Sequence, residues 1–206
     1  WRVIILNSNI AQKDNFWNLY GGVDADGQLR WLIEQLADAE RAGSYVTILG
    51  HVPPGSEDCI QQWSLNYHRI IARFAHVIRG QFFGHTHNDE FQIFYDETTA
   101  SPNGERHFKA TNVAYIGPSI TTFGNVNPGY RVYTVDAVTF DIIDHETYYL
   151  NLTAANTYRN STTSSPLKSA LKYVKSYSAK QAYGMSSLAA SEWHSLIVER
   201  MQKDAK

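Results

Sequence analysis

Tyr45-Val-Thr-Ile-Leu-Gly50-His51-Val-Pro-Pro-Gly55 reads as an apolar strand that stops at a glycine and becomes a loop, because its paired prolines can continue neither strand nor helix. The residues before it explain how the strand is reached. Arg2–Asn7 is a short apolar run of β character. A polar loop dotted with aromatic residues follows through Asp26. Gln28–Ala42 then carries Leu29, Leu32, Ile33, Leu36 and Ala39 at helical spacing, with Asp26 as candidate N-cap and Gly43 as the C-terminal stop. Strand, helix and strand in this order predict a βαβ unit with a parallel strand pair, hence an α/β fold.

Further along, Trp63–Ile78 returns to helical spacing through Tyr67, Ile70, Ile71, Phe74 and Ile78, and Gln81–Gly84 reads as a short strand. The pattern is then mostly β, with candidate strands Phe91–Tyr95, His107–Ile116, Tyr130–Asp136, Val138–Ile143 and Thr147–Leu152 punctuated by Gly, Pro and Asn. Residues 156–166, rich in Ser, Thr and Asn, read as a linker. Leu167–Ala182 and Ser187–Gln202 read as helices separated at Gly184. The expected organisation is a domain over 1–155, the linker 156–166, and the start of a helical region over 167–206.

Composition narrows the function classes. Apolar residues make up 43% and charged residues 18% of the 206, as in a globular protein with a core. A net charge of −2 without a basic run argues against a dedicated nucleic-acid binder. No stretch reaches the roughly 18 apolar residues of a membrane-spanning helix. Protonating all eight His would move the charge from −2 to +6, which suits contact with an anionic membrane surface at acidic pH. A strand pattern that opens at Trp1, without Met, leads us to expect further chain upstream. The single Cys59 hints at a reducing compartment, whereas the sequons Asn151-Leu-Thr153 and Asn160-Ser-Thr162 point to glycosylation and secretion.

The chemistry concentrates in three histidines. His51 follows the strand ending at Gly50, and His85 and His87 follow the strand ending at Gly84, 34 residues later. In open α/β sheets, ligands gather outside the carboxyl ends of strands, and two strands here each deliver His to that rim. Imidazoles so placed suit one metal ion or two neighbouring ones, and paired metals are a standard device for phosphate-ester hydrolysis. The other His are read as structural (His68 and His76, on a helix) or without a role (His145, in a turn).

These stretches resemble the second half of the calcineurin-like metallophosphoesterase signature and, more narrowly, the acid sphingomyelinase family. The likeness is carried by Asn15-Phe-Trp17, Gly27-Gln-Leu-Arg-Trp31, Gly50–Gly55, Asn66-Tyr67, Gln81–His87, Asp89-Glu-Phe91, Phe94-Tyr-Asp96, Asn127–Tyr133, Asp144–Tyr148 and Asn151-Leu-Thr153. It implies the C-terminal half of a four-layer α/β/β/α sandwich followed by a helical tail. It also implies two zinc ions, with His51 and His85 matching ligands to one and His87 a ligand to the other. The implied reaction is attack of metal-activated hydroxide on a phosphodiester, turning sphingomyelin into ceramide and phosphocholine in a lysosomal or secreted enzyme. Asn151 matches a glycosylated position. In the family an acidic residue at the position of Asp14 lies near the active-site mouth, which makes Asp14 a candidate substrate-binding residue, and Asp89 is a candidate for orienting a ligating His. Asn66 and Tyr67 are read as packing or orienting groups, and Pro118, Thr121, Thr122 and Tyr130 as loop residues shaping the substrate cleft.

The departures from the family are specific. The Asp-x-His, Gly-Asp and Gly-Asn-His motifs of its first half, which carry the bridging carboxylate, the remaining ligands and the His that protonates the leaving group, do not occur in this sequence. The catalytic acid is therefore expected upstream of Trp1, in a missing N-terminal half, and the chain alone is expected to have weak or no activity. Cys59 matches a family disulfide cysteine, but the partner position, near Ala11, is not Cys. The related sphingomyelinase-like branch, acting on nucleotides or other small phosphoesters, and a non-catalytic truncated remnant are the alternative readings.

Overall fold

Burial of the helical stripe and the pairing of apolar strands together fix the first half of the fold. In the computed structural model, which describes residues 1–22, 24, 26–98, 107–159 and 171–201, strand β1 (Arg2–Ile5) leads through a 3-10 turn at Ser8–Ala11 and a one-turn helix α1 (Asn18–Gly21) into α2 (Gln28–Arg41). Leu29, Leu32, Leu36 and Ala39 form the buried face of α2. Asp26 accepts a hydrogen bond from the Gln28 N–H at 3.1 Å, as a residue before the helix should. Asp24 caps the first turn further, its carboxylate accepting from the N–H groups of Leu29 and Arg30 at 2.9 and 3.2 Å. At the far end Gly43 takes φ +62°, and the Ser44 N–H turns back to the Ala39 carbonyl at 2.9 Å. A glycine carries this left-handed stop without the strain a Cβ would bring.

The next elements are β2 (Val46–Leu49), α3 (Gln61–Arg73), β3 (Ile78–Phe83), β4 (Glu90–Thr98) and β5 (His107–Ile116). They build a five-stranded sheet in the order β1-β2-β3-β5-β4. The first four strands run parallel, and β4 lies antiparallel on β5. The α3 helix ends at Arg73, earlier than the apolar spacing predicts, because Ile78 already pairs with Val46 as the first residue of β3. Strand β3 serves two cores by simple alternation. Phe83 belongs to the core under α2 and α3, whereas Phe82 packs on the opposite side. On the α3 side, the Tyr67 hydroxyl donates to Gln81 Oε1 and Gln81 Nε2 donates to Asn112 Oδ1, each at 2.7 Å. Asn112 Nδ2 ends the chain on the Ile78 carbonyl at 3.1 Å. Every link has a partner, which is the condition for burying amides in an apolar layer.

A second sheet of β6 (Gly129–Val135), β7 (Ile142–Leu150) and β8 (Tyr173–Ser178) is antiparallel throughout, in that order. Two expectations are corrected here. Val138–Ile143 is not a separate strand. Asp136 Oδ1 accepts from the N–H groups of Val138 and Thr139, closing a turn with Phe140 at φ +59°, and one long strand then runs from Ile142 to Leu150. His145, expected in a turn, lies inside this strand. Leu167–Ala182 is not one continuous helix over its described part. Tyr173–Ser178 is a strand, drawn into the sheet by pairing along β7, and helix α5 covers only Ala179–Tyr183. Tertiary pairing has overridden local propensity. Helix α4 (Leu152–Arg159) takes up the start of the expected linker, and residues 160–170 lie outside the described residues. Helix α6 (Ala190–His194) continues as a π-helical stretch over Ser195–Met201.

Met185, Leu188, Trp193 and Leu196 bury themselves with Val113 and Tyr115, and Phe82, Phe91 and Tyr133 pack against this cluster. The layers are thus two helices, a five-stranded sheet, and a three-stranded sheet with α6: the expected half of an α/β/β/α sandwich with a helical tail. His145 is 2% exposed, within 6.4 Å, centroid to centroid, of Tyr115, Tyr133, Tyr177 and Trp193. Burial, and then the Arg131 charge, push its pKa down from the usual histidine value to about 4. The unfolded chain therefore takes up this proton first as pH falls, so the His145 contribution is lost between about pH 6.5 and about pH 4. Urea unfolding across that range should show stability falling with pH, and His145→Leu should flatten the slope.

Candidate functional site

Parallel pairing brings the carboxyl ends of neighbouring strands level. The Gly50 N–H donates to the Phe82 carbonyl at 2.9 Å, Gly84 to His51 at 3.0 Å, and Gly117 to Phe83 at 2.9 Å. The three glycines thus stand just beyond the ends of β2, β3 and β5. At Gly50 the need is for space. A Cβ there would lie 2.6 Å from the Phe83 ring, which packs over the turn. The loop that follows is tied to the end of β1. The N–H groups of His51 and Val52 both donate to Ser8 Oγ at 2.7 Å, and Ser8 is 1% exposed.

Two of the three predicted imidazoles meet at this rim. The His51 and His85 rings lie edge to face, with centroids 5.2 Å apart. His85 Nε2 is 2.9 Å from Asp58 Oδ2, and Asp58 Oδ1 is 2.7 Å from Lys13 Nζ. The Lys13 ammonium, and then His85, hold the Asp58 carboxyl below its usual range, while Asp58 raises Lys13. His87 stands apart. Its Nδ1 contacts the Phe123 carbonyl at 3.4 Å, and its ring meets the Phe123 ring edge-on at 5.9 Å. His85 and His87 both adopt positive φ, 73° and 64°, a conformation rare outside glycine and often found at functional turns. Partial burial, then His85 and His87, lower the pKa of His51, favouring the neutral imidazole that a metal ion requires.

The other predicted residues are placed differently. Asp14 is exposed and bonded to Gln12, which donates to it from Nε2 at 3.2 Å. Asp89 reaches no histidine ring; it binds Arg131, Thr147 and Tyr177 of the second sheet. Asn66 Oδ1 faces Arg69 at 3.3 Å, and Tyr67 belongs to the core. Tyr130 stacks on Tyr148, with centroids 5.2 Å apart. His68 stacks on Phe94, and His76 pairs with Glu40. Cys59 is buried as a free thiol beside Ser64, across a bridge from Gln12. Asn151 is exposed, and its Oδ1 caps α4 by accepting from the Ala154 N–H at 2.9 Å; Asn160 lies outside the described residues. Sequence reasoning missed Ser8, Asp58 and Phe123. A carboxylate seven residues after His51 in the same loop was the available signal for Asp58.

Zinc binds nitrogen at about 2.0–2.1 Å, and a pair of adjoining imidazoles is a natural part of such a donor set. The residues present fit that part. Among the described residues, no three His, Cys, Asp or Glu side chains are grouped to hold an ion by themselves. Replacing Ser8 by Ala tests the frame of the site, since it strands two N–H donors near the rim. Unfolding should become easier by about 1–3 kcal/mol, and amide exchange at His51 and Val52 should accelerate more than at Ile48.

No protein-family model matches the chain. Individual relatives do. The chain is 42% identical to sphingomyelin phosphodiesterase of Bos taurus over 209 residues, covering 100% of this chain and 30% of the relative. It is 42% identical to sphingomyelin phosphodiesterase of Homo sapiens over 208 residues, 98% of this chain and 30% of that relative. Acid sphingomyelinase-like phosphodiesterase 3b of Mus musculus matches at 32% over 212 residues, 95% of this chain and 42% of its own length. The chain thus spans about a third of the length of the sphingomyelin phosphodiesterases it matches. Identity at this level over the whole sequence places this chain in the acid sphingomyelinase family.

Proposed function

We propose that this chain forms part of a zinc-dependent phosphodiesterase that cleaves sphingomyelin to ceramide and phosphocholine. The observation that carries this reading is the meeting of His51 and His85 at the level ends of β2 and β3, in a chain of this family. His51 and His85 would hold one zinc ion, and His87 would serve a second. Zinc bound there would polarise a phosphoryl oxygen as a Lewis acid. The chain's own groups would orient the ligands: Asp58 holds His85 by Nε2, and the Phe123 carbonyl engages Nδ1 of His87. The bridging carboxylate, the remaining donors and the acid for the leaving group would come from the portion of the enzyme this chain does not span. Identity of 42% to sphingomyelin phosphodiesterases against 32% to the 3b enzyme favours sphingomyelin over other phosphoesters. The reading extends to a lysosomal or secreted glycoprotein modified at Asn151 and Asn160, working at a membrane surface. Exposed Phe16, Trp17, Leu19 and Tyr20 suit such contact, and among the described residues no helix is long and apolar enough to cross a membrane. For the isolated chain, the incomplete donor set favours a non-catalytic state.

The test compares ceramide release from sphingomyelin vesicles by the 206-residue chain and by the same chain joined to the upstream half of a family member. The joined protein should turn over, stop on chelation and recover with zinc. His51→Ala or His85→Ala should cost it at least about a hundredfold. Zinc-stimulated turnover by the chain alone, at the level of the joined protein, would overturn the partial-site reading.

A further inference from the structure

Two left-handed histidines, separated by a single threonine, need something to hold them. Each non-glycine residue in this region carries backbone strain and persists only where its surroundings overdetermine it. Inside the turn the restraints are few. The Thr86 N–H reaches the Gly84 carbonyl at 2.9 Å, the Asn88 N–H reaches Thr86 Oγ1 at 3.3 Å, and His87 Nδ1 lies 3.4 Å from the Phe123 carbonyl. The firm attachment comes at Asp89, the last residue before β4. Its Oδ2 accepts from the Thr147 hydroxyl at 2.7 Å. Its Oδ1 accepts from the Tyr177 hydroxyl at 2.8 Å and pairs with the Arg131 guanidinium. These donors sit on β7, β8 and β6, so every strand of the second sheet contributes one.

The Arg131 end of this grip is shielded from water. The Arg131 side chain is 3% exposed and that of Asp89 is 26% exposed. Arg131 is itself braced, donating to the Tyr133 hydroxyl at 3.0 Å. A carboxylate that receives three donors, one of them a charged group that is itself buried, is held more firmly than a single surface ion pair. The turn is therefore pinned at both ends, by the Gly84 N–H on the His51 carbonyl and by Asp89 on the second sheet. A pocket of about 380 Å³, bordered by His87, Asp89, Thr147, Tyr148 and Tyr177, lies along this attachment.

We propose that Asp89, held by Arg131, Thr147 and Tyr177, is the positioning residue that keeps the His85–His87 turn in its left-handed form and so fixes where His87 stands relative to His51 and His85. The consequence for metal binding rests on the function proposed above; the consequence for the backbone does not.

The experiment is a zinc titration of the 206-residue chain, followed by the ring-nitrogen NMR signals of its histidines, in the wild-type sequence and in Asp89→Ala. In Asp89→Ala the His87 ring should need at least about tenfold more zinc to respond, with His51 and His85 following the wild-type curve. An unchanged His87 curve, or an equal loss at all three rings, would overturn the proposal, the second because a merely structural tie loosens the site as a whole. If no histidine responds to zinc in the wild type, the metal reading fails and amide exchange decides the positioning role. Exchange at Thr86–Asn88 should then be at least about tenfold faster in Asp89→Ala, with Ile48 and Ile71 unchanged. Equal rates would overturn it. Should Asp89→Ala not fold, Tyr177→Phe removes one donor and leaves the other two, and the same readouts should shift about threefold, consistent with roughly 0.6 kcal/mol from one hydrogen bond.

Discussion

Everything at the rim depends on the parallel pairing of β2 with β3. Two hydrogen bonds past the strand ends, Gly50 to Phe82 and Gly84 to His51, hold the backbones level where each chain leaves the sheet. Imidazoles that follow those glycines then stand together without a long loop to aim them. The apolar cost of this register is met beneath the rim by Phe83, whose ring fills the space that Gly50 leaves empty. The Ser8 hydroxyl adds β1 to the arrangement through two backbone bonds. Three strand ends and one small side chain therefore set the position of His51.

The charged groups divide into two kinds with different work. Lys13 and Asp58 are half exposed, so solvent screens their pair and its main effect is to orient His85. Arg131 is buried against the second sheet, where an unpaired charge would be costly, so it needs Asp89. Beside them His145 stays neutral among aromatic rings because burial and the neighbouring guanidinium both oppose its protonation. One polar cluster thus joins the histidine turn, all three strands of the second sheet and an aromatic core that includes Trp193 of α6.

A chain matching 30% of a sphingomyelin phosphodiesterase relative, yet all of itself, folds around two buried apolar clusters. Its five-stranded sheet shares one buried apolar cluster with α2 and α3, and a second with α5, α6 and the second sheet. Among the described residues, the rim brings His51 and His85 together and leaves His87 apart, and no three His, Cys, Asp or Glu side chains are grouped.

The sequence alone determined the elements whose burial is periodic and local: the α2 stripe, the apolar runs of β1 and β2, the Pro-Pro turn after His51, and the histidines just past two strand ends. Family likeness added the ligand expectations to those same residues. Tertiary structure decided the rest, because the deciding contacts join residues far apart in the chain. Tyr173–Ser178 became a strand through pairing with β7, against a helical expectation drawn from its neighbours. Asp89 found partners 42, 58 and 88 residues away and not the histidine two positions before it. Asp58 came to His85 across 27 residues. Spacing along a chain reports which face a side chain shares with its near neighbours; it carries no information on which distant strand will supply the donor that satisfies a buried charge.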